Sequence, residues 1–90
     1  MTDMNYDSLV AVRKEKVLEV CGKYSKEVPE FFTRQDDRNL LMITFRNKIP
    51  TESESDNIDL DLKKIEDVTS VHMHPFRNIF LISWVIYFKE

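Results

Sequence analysis

The stretch that most constrains this chain is "IFLISWVIYF", residues 79–88, whose apolar character only Ser83 interrupts. Ten residues are about half of a bilayer-spanning helix, so the run is not a membrane anchor. Its isoleucines, valine and aromatic residues favour extended backbone, where branched and flat side chains pack well on a pleated surface. A strand whose two alternating sets are both apolar needs cover on both sides.

The residues just before the run supply its partner. "HPFRN", residues 74–78, reads as a turn, because Pro75 presets φ at the first turning position and Asn78 tolerates left-handed backbone at the last. In the resulting hairpin, residues 66–88, His74 faces Ile79, His72 faces Leu81, Ser70 faces Ser83, Val68 faces Val85 and Glu66 faces Tyr87. These side chains share one face. The other face carries Val71, Met73, Phe80, Ile82, Trp84, Ile86 and Phe88, with Thr69 the mildest interruption. The large apolar residues at alternate positions from 80 to 88 make this the core face, and a slip of one residue would exchange the two.

Residues 8–28 are expected to form the helix that covers the core face. At 100° per residue, Tyr6, Val10, Val17, Val20, Cys21, Tyr24 and Val28 fall in one stripe, opposite Glu15, Lys16, Glu19, Lys23, Lys26 and Glu27. Asp7 or Ser8 caps the start, and Pro29 stops the helix by disfavouring α geometry at Val28. Ala11 and Leu18 form a small second patch. Pro29 suits the first turn of a short second helix over 29–37, with Phe31 and Phe32 lidding the core. Residues 40–47, "LLMITFRN", read as a strand. Residues 50–57 read as a solvated acidic loop, in which Ser53, followed by acids, would suit an acid-directed kinase. "NIDLDLK", residues 57–63, alternates as a half-buried edge strand, Ile58, Leu60 and Leu62 inward and Asp59 and Asp61 outward. With strands at 66–74 and 79–88, the expectation is one α+β domain over 1–90. A long N-terminal helix and a short second helix pack on one face of a roughly four-stranded antiparallel sheet.

Composition narrows the function. Forty-two per cent hydrophobic residues are ample for a packed core and exclude a disordered chain. Cys21 has no partner for an internal disulfide, no glycosylation sequon occurs, and "MTDMNYDSL" lacks the basic and apolar regions of a leader. A reducing, cytoplasmic location is therefore expected. The net charge of −3 divides into +1 over residues 1–48 and −4 over residues 49–90, without a basic stripe for nucleic acid. With one glycine, the chain has no phosphate-cradling loop.

The reactive side chains are sparse. His72 and His74 stand two apart on the outer face, and a metal would need at least a third ligand; Cys21 lies on the helix side and only Asp59 or Asp61 could contribute. Ser70 and Ser83 neighbour the histidines with no acid behind them, and Cys21 sits in the core stripe as a small hydrophobe. Catalytic residues, metal and cofactors are all read as none. The outer face Val68, Ser70, His72, His74, Ile79, Leu81, Ser83, Val85 and Tyr87 is too apolar to be left in water, so it is read as an interface. A second copy is the simplest partner, since one self-complementary patch closes a two-fold dimer.

The chain thus reads as a non-enzymatic interaction module: a regulator, inhibitor or accessory subunit, of a kind virus-encoded inhibitors also exemplify. It is homodimeric, binds another protein, and has no membrane attachment. The alternatives are a histidine- or metal-dependent small enzyme, and a nucleic-acid module using Arg13, Lys14 and Lys16 with aromatic side chains.

Overall fold

The computed structural model describes residues 2–34, 36–78 and 80–89; for 2–7 and 74–78 only the backbone course is given. The order is α1 (Thr2–Tyr24), β1 (Glu30–Arg34), β2 (Asp37–Arg46), α2 (Glu52–Lys63), β3 (Val68–Asn78) and β4 (Leu81–Phe88). The four strands form one antiparallel sheet in the order β1-β2-β4-β3. The fold class is α+β, two helices against a four-stranded sheet.

The core is the face the hairpin argument selected. Trp84 and Ile86 are fully buried and Phe88 nearly so, joined by Val71 from β3 and Leu41, Ile43 and Phe45 from β2. Phe45 meets Trp84 edge-on, ring centroids 6.0 Å apart. Above them lie Val17, Val20 and Cys21 of α1 and Ile58 and Leu62 of α2. Burial pushes the Cys21 thiol up to about 12, so it packs as a hydrophobe rather than as a thiolate. Met73 and Phe80, expected in the core, are 36% and 56% exposed: Met73 stands on the edge strand β3, with a neighbouring strand on one side only, and Phe80 lies at the hairpin end before β4 begins.

α1 begins before Asp7 and Ser8, since no proline or glycine interrupts residues 2–8. It ends at Tyr24 rather than 28: Ser25 N–H donates to the Cys21 carbonyl at 2.9 Å, and the chain then turns out toward Pro29. Val28 is therefore 77% exposed instead of in the stripe. The expected stripe residue Tyr6 has no described side chain. Arg13, treated above as a surface cation, is only 4% exposed. Its position lies 40° from Val17 on the helical wheel, inside the apolar stripe.

Two elements differ in kind from expectation. The short helix expected over 29–37 is not there: Glu30–Arg34 form β1 and β2 begins at Asp37, with Phe31 opposite Ile43 and Phe32 opposite Met42. Adjacent side chains on a helix project about 100° apart, so a helix would not send the two phenylalanines to opposite sides. On a strand Phe31 goes to the core and Phe32 to the outer face. The turn is held by Arg34, which donates to both Asp36 oxygens at 2.9 and 2.7 Å and lowers that carboxyl below its ordinary value.

Residues 57–63 are not a strand, and 50–57 are not a free loop. Both belong to α2 and its entry. Thr51 caps the helix, its hydroxyl accepting from Glu54 N–H at 3.2 Å while the Glu54 carboxylate accepts from Thr51 N–H at 2.8 Å. Glu52 and Glu54 sit where the helix dipole favours acids. Ile58, Leu62 and Ser55 face the core, and Leu60, 200° round from Ile58, is 55% exposed. Asp59 and Asp61 flank the buried line and accept hydrogen bonds: Trp84 Nε1 donates to Asp59 at 3.2 Å, and Tyr24 Oη to Asp61 at 2.7 Å. They latch the helix to the sheet and to α1.

Candidate functional site

Both helices lie on the core face, so among the described residues the opposite face of the sheet carries no second layer. Strand alternation decides what it shows. β2 contributes Leu40, Met42, Thr44 and Arg46; β4 contributes Leu81, Ser83, Val85 and Tyr87; β1 adds Glu30 and Phe32; β3 adds Ser70 and His72. At its centre Val85 lies between Met42 on one side and His72 on the other.

The hairpin register differs from the one expected. His72 pairs with Val85 rather than Leu81, Ser70 with Tyr87 rather than Ser83, and His74 with Ser83. Each partner moved by four positions, an even number, so the sides did not exchange. The cause is Pro75. It lies within β3, an edge strand, and the turn comes later, with Asn78 opposite Leu81. An edge strand tolerates a residue without an N–H, and the register shifts between His74 and Asn78.

Of the nine residues assigned to the outer face, Ser70, His72, Leu81, Ser83, Val85 and Tyr87 are found there, and the backbone of His74 takes a matching register position. The His74 side chain and Ile79 lie outside the described residues. Val68 does not belong: a register irregularity between Val68 and Ser70 places it opposite Phe88, packed against the core. Phe32, Leu40, Met42 and Thr44 are the members that sequence reading missed. The alternation of Leu41, Ile43 and Phe45 with Leu40, Met42 and Thr44 was the available signal.

The face is apolar around one ordered hydroxyl pair beside its centre. Leu40, Met42, Leu81, Val85 and Tyr87 are half-buried among themselves, and Phe32 is 38% exposed. The Thr44 and Ser83 hydroxyls bond to each other across β2 and β4 at 2.9 Å, and Thr44 is 3% exposed. His72 meets Tyr87 edge-on, ring centroids 5.9 Å apart. Arg46 donates to Glu30 at 3.2 Å at one corner. Among the described side chains of this face, no histidine or carboxylate hydrogen-bonds to the Thr44 or Ser83 hydroxyl. Among the described residues no three of His, Cys, Asp and Glu gather as metal ligands, and no helix is long and apolar enough to cross a membrane. The chain matches no protein-family model, no curated protein and no solved structure.

Proposed function

We propose that this protein acts by association through the uncovered sheet face, as a non-enzymatic regulator, inhibitor or accessory subunit that forms a homodimer and binds protein partners. The observation that carries this reading is the asymmetry of the sheet: one face lies under two helices, and the other presents Leu40, Met42, Leu81, Val85 and Tyr87 to solvent. A second copy suits the face because the patch is self-complementary in character. Its apolar strips flank a hydroxyl pair in which one O–H donates to the other, which leaves the second O–H to donate across a two-fold interface.

Size sets the strength. β2 and β4 pair from Leu40 to Arg46, which at ~3.4 Å per residue and ~4.8 Å per strand gives a face of roughly 24 by 19 Å. Covering it on two copies removes on the order of 900 Å² from water, just under the ~1,000 Å² floor for specific interfaces. Such a dimer forms and dissociates with concentration.

Nucleic acid is the weaker reading. Arg34 and Arg46 are paired with Asp36 and Glu30. Arg13 is buried, and Lys14 lies over the Phe31 ring, 5.7 Å from its centroid.

Sedimentation velocity across a wide concentration range tests the proposal. The parent is expected to shift from monomer to dimer at high micromolar concentration, and Val85→Glu to stay monomeric with unchanged helix content. A parent that stays monomeric at millimolar concentration, or a variant that dimerises as well as the parent, would overturn it.

A further inference from the structure

One row crosses the outer face from edge to edge: Phe32 opposite Met42, Met42 opposite Val85, and Val85 opposite His72. Three of these side chains are apolar, and the fourth is an imidazole, the side chain that changes charge between pH 5 and 8. In the single chain His72 is exposed and keeps its water. From β4, the strand beside it, it faces Val85, Ser83 and, with ring centroids 5.9 Å apart, Tyr87; Ser70 stands on β3 itself, and the His74 side chain lies outside the described residues. The charges of the face stand elsewhere. Glu30 is on β1, three strand spacings or roughly 14 Å from β3, and accepts from Arg46. Arg34 is held by Asp36, and Arg38 and Lys89 lie beyond the Leu40–Tyr87 pair. α2 packs from the core side of the sheet, where its Asp59 and Asp61 bond to Trp84 and Tyr24.

We propose that acid switches off association through this face, and that His72 is the group whose protonation does it. The inference rests on the face-to-face dimer above. Stacked sheets stand ~10 Å apart, so a second copy centred on Val85 and Met42 takes the water from His72. The row then meets its own copy. Turned about an axis along the row, His72 meets His72 of the second copy; turned about an axis along the strands, it meets Phe32. Neither carries a negative charge, and Glu30 of the second copy is engaged by its own Arg46. A neutral imidazole enters such a gap at small cost, whereas an imidazolium without a counter-charge does not. Dimerisation therefore selects the neutral form, and by linkage protonation opposes dimerisation.

Sedimentation velocity at about pH 7.5 and about pH 5.5 tests it, with salt at about 0.15 M to screen the net charge of the chain. A histidine that joins a complex only when neutral weakens it about tenfold over that interval. Two copies bring two such histidines, so the Kd of the parent dimer is expected to rise about a hundredfold on acidification. His72→Phe keeps a ring beside Tyr87 and cannot be protonated. It is expected to dimerise alike at both pH values, which also shows that the fold survives the lower one. His74→Gln is expected to keep the response of the parent. A parent with the same Kd at both pH values overturns the switch and leaves the face-to-face dimer standing. A response that persists in His72→Phe, or disappears in His74→Gln, overturns the assignment to His72. A parent that is monomeric at millimolar concentration at the higher pH overturns the dimer, and the switch with it.

Discussion

The two faces of one sheet are built from the same strands and end in opposite states. On the covered side Leu41, Ile43, Trp84 and Ile86 are 3% exposed or less; on the other side, Leu40, Met42, Val85 and Tyr87, their neighbours in sequence, keep part of their surface in water. Hydrophobicity does not separate them. What differs is the pair of helices, and specifically what holds α2 in place: the Thr51 cap, the Trp84–Asp59 bond and the Tyr24–Asp61 bond. Burial here is a property of the cover, and apolar strand residues left without one are what a partner would recognise.

The comparison breaks first if the covered face is not the source of stability. Trp84→Ala should cost about 3–5 kcal/mol, the range for a fully buried large aromatic, and it also removes the donor to Asp59. Chemical denaturation measures it, with the companion variant Val85→Glu expected to lose far less. Equal losses from the two would show that both faces are buried in the monomer, and the outer surface would no longer be available for association.

This contrast was partly legible beforehand. The inner and outer sets of β4 follow from parity alone, and parity survived a register error of four because the error was even. The length of β3 was not legible, since Pro75 suits a turn and an edge strand equally well by local preference. The second helix was misplaced for a related reason. Ile58, Leu60 and Leu62 satisfy a period of two, while Ile58 and Leu62 alone satisfy a helical i, i+4 spacing, so only the fate of Leu60 distinguishes them. The deciding local signal was Thr51 with Glu54 three residues on, a capping box hidden inside what looked like an acidic linker. Phe32 was lost from the outer face with β1, because "EFFTR" after a proline resembles a helix start until Phe31 and Phe32 have to go to opposite sides.

A sharper probe of the cover is its entry. Thr51→Ala removes the acceptor for Glu54 N–H and should cost about 1 kcal/mol. On a domain of this size that lowers the melting midpoint by roughly 4–8 °C. Were 51–57 a free loop, the same substitution would leave the melt unchanged. Calorimetry on the two proteins decides between a latch and a linker.

The smallest expected effect is a matter of pH and tests the other latch. Asp61 is held below its ordinary carboxyl value of 3.8, first by the Tyr24 hydroxyl and then by the charges of Lys64 and Lys23. A carboxyl depressed in the folded state adds stability that is complete above its unfolded value, and that stability is lost as pH falls through 3.8 toward the folded one. Tyr24 moves the other way. Its hydroxyl is raised above 10.0, chiefly by the same hydrogen bond, so its contribution is present below 10.0 and is lost as pH rises beyond the folded value. One bond therefore predicts two limbs, an acid one starting near pH 4 and an alkaline one starting near pH 10. Tyr24→Phe should lower stability modestly between them, flatten the acid limb, and remove this residue's part of the alkaline one. The residual acid slope reports Lys64 and Lys23, which lie 3.6 and 3.9 Å from the Asp61 carboxylate oxygens. If parent and variant lose stability in parallel below pH 4, the Tyr24–Asp61 bond does not hold α2 against α1 in solution, and the cover depends on the cap and Trp84 alone.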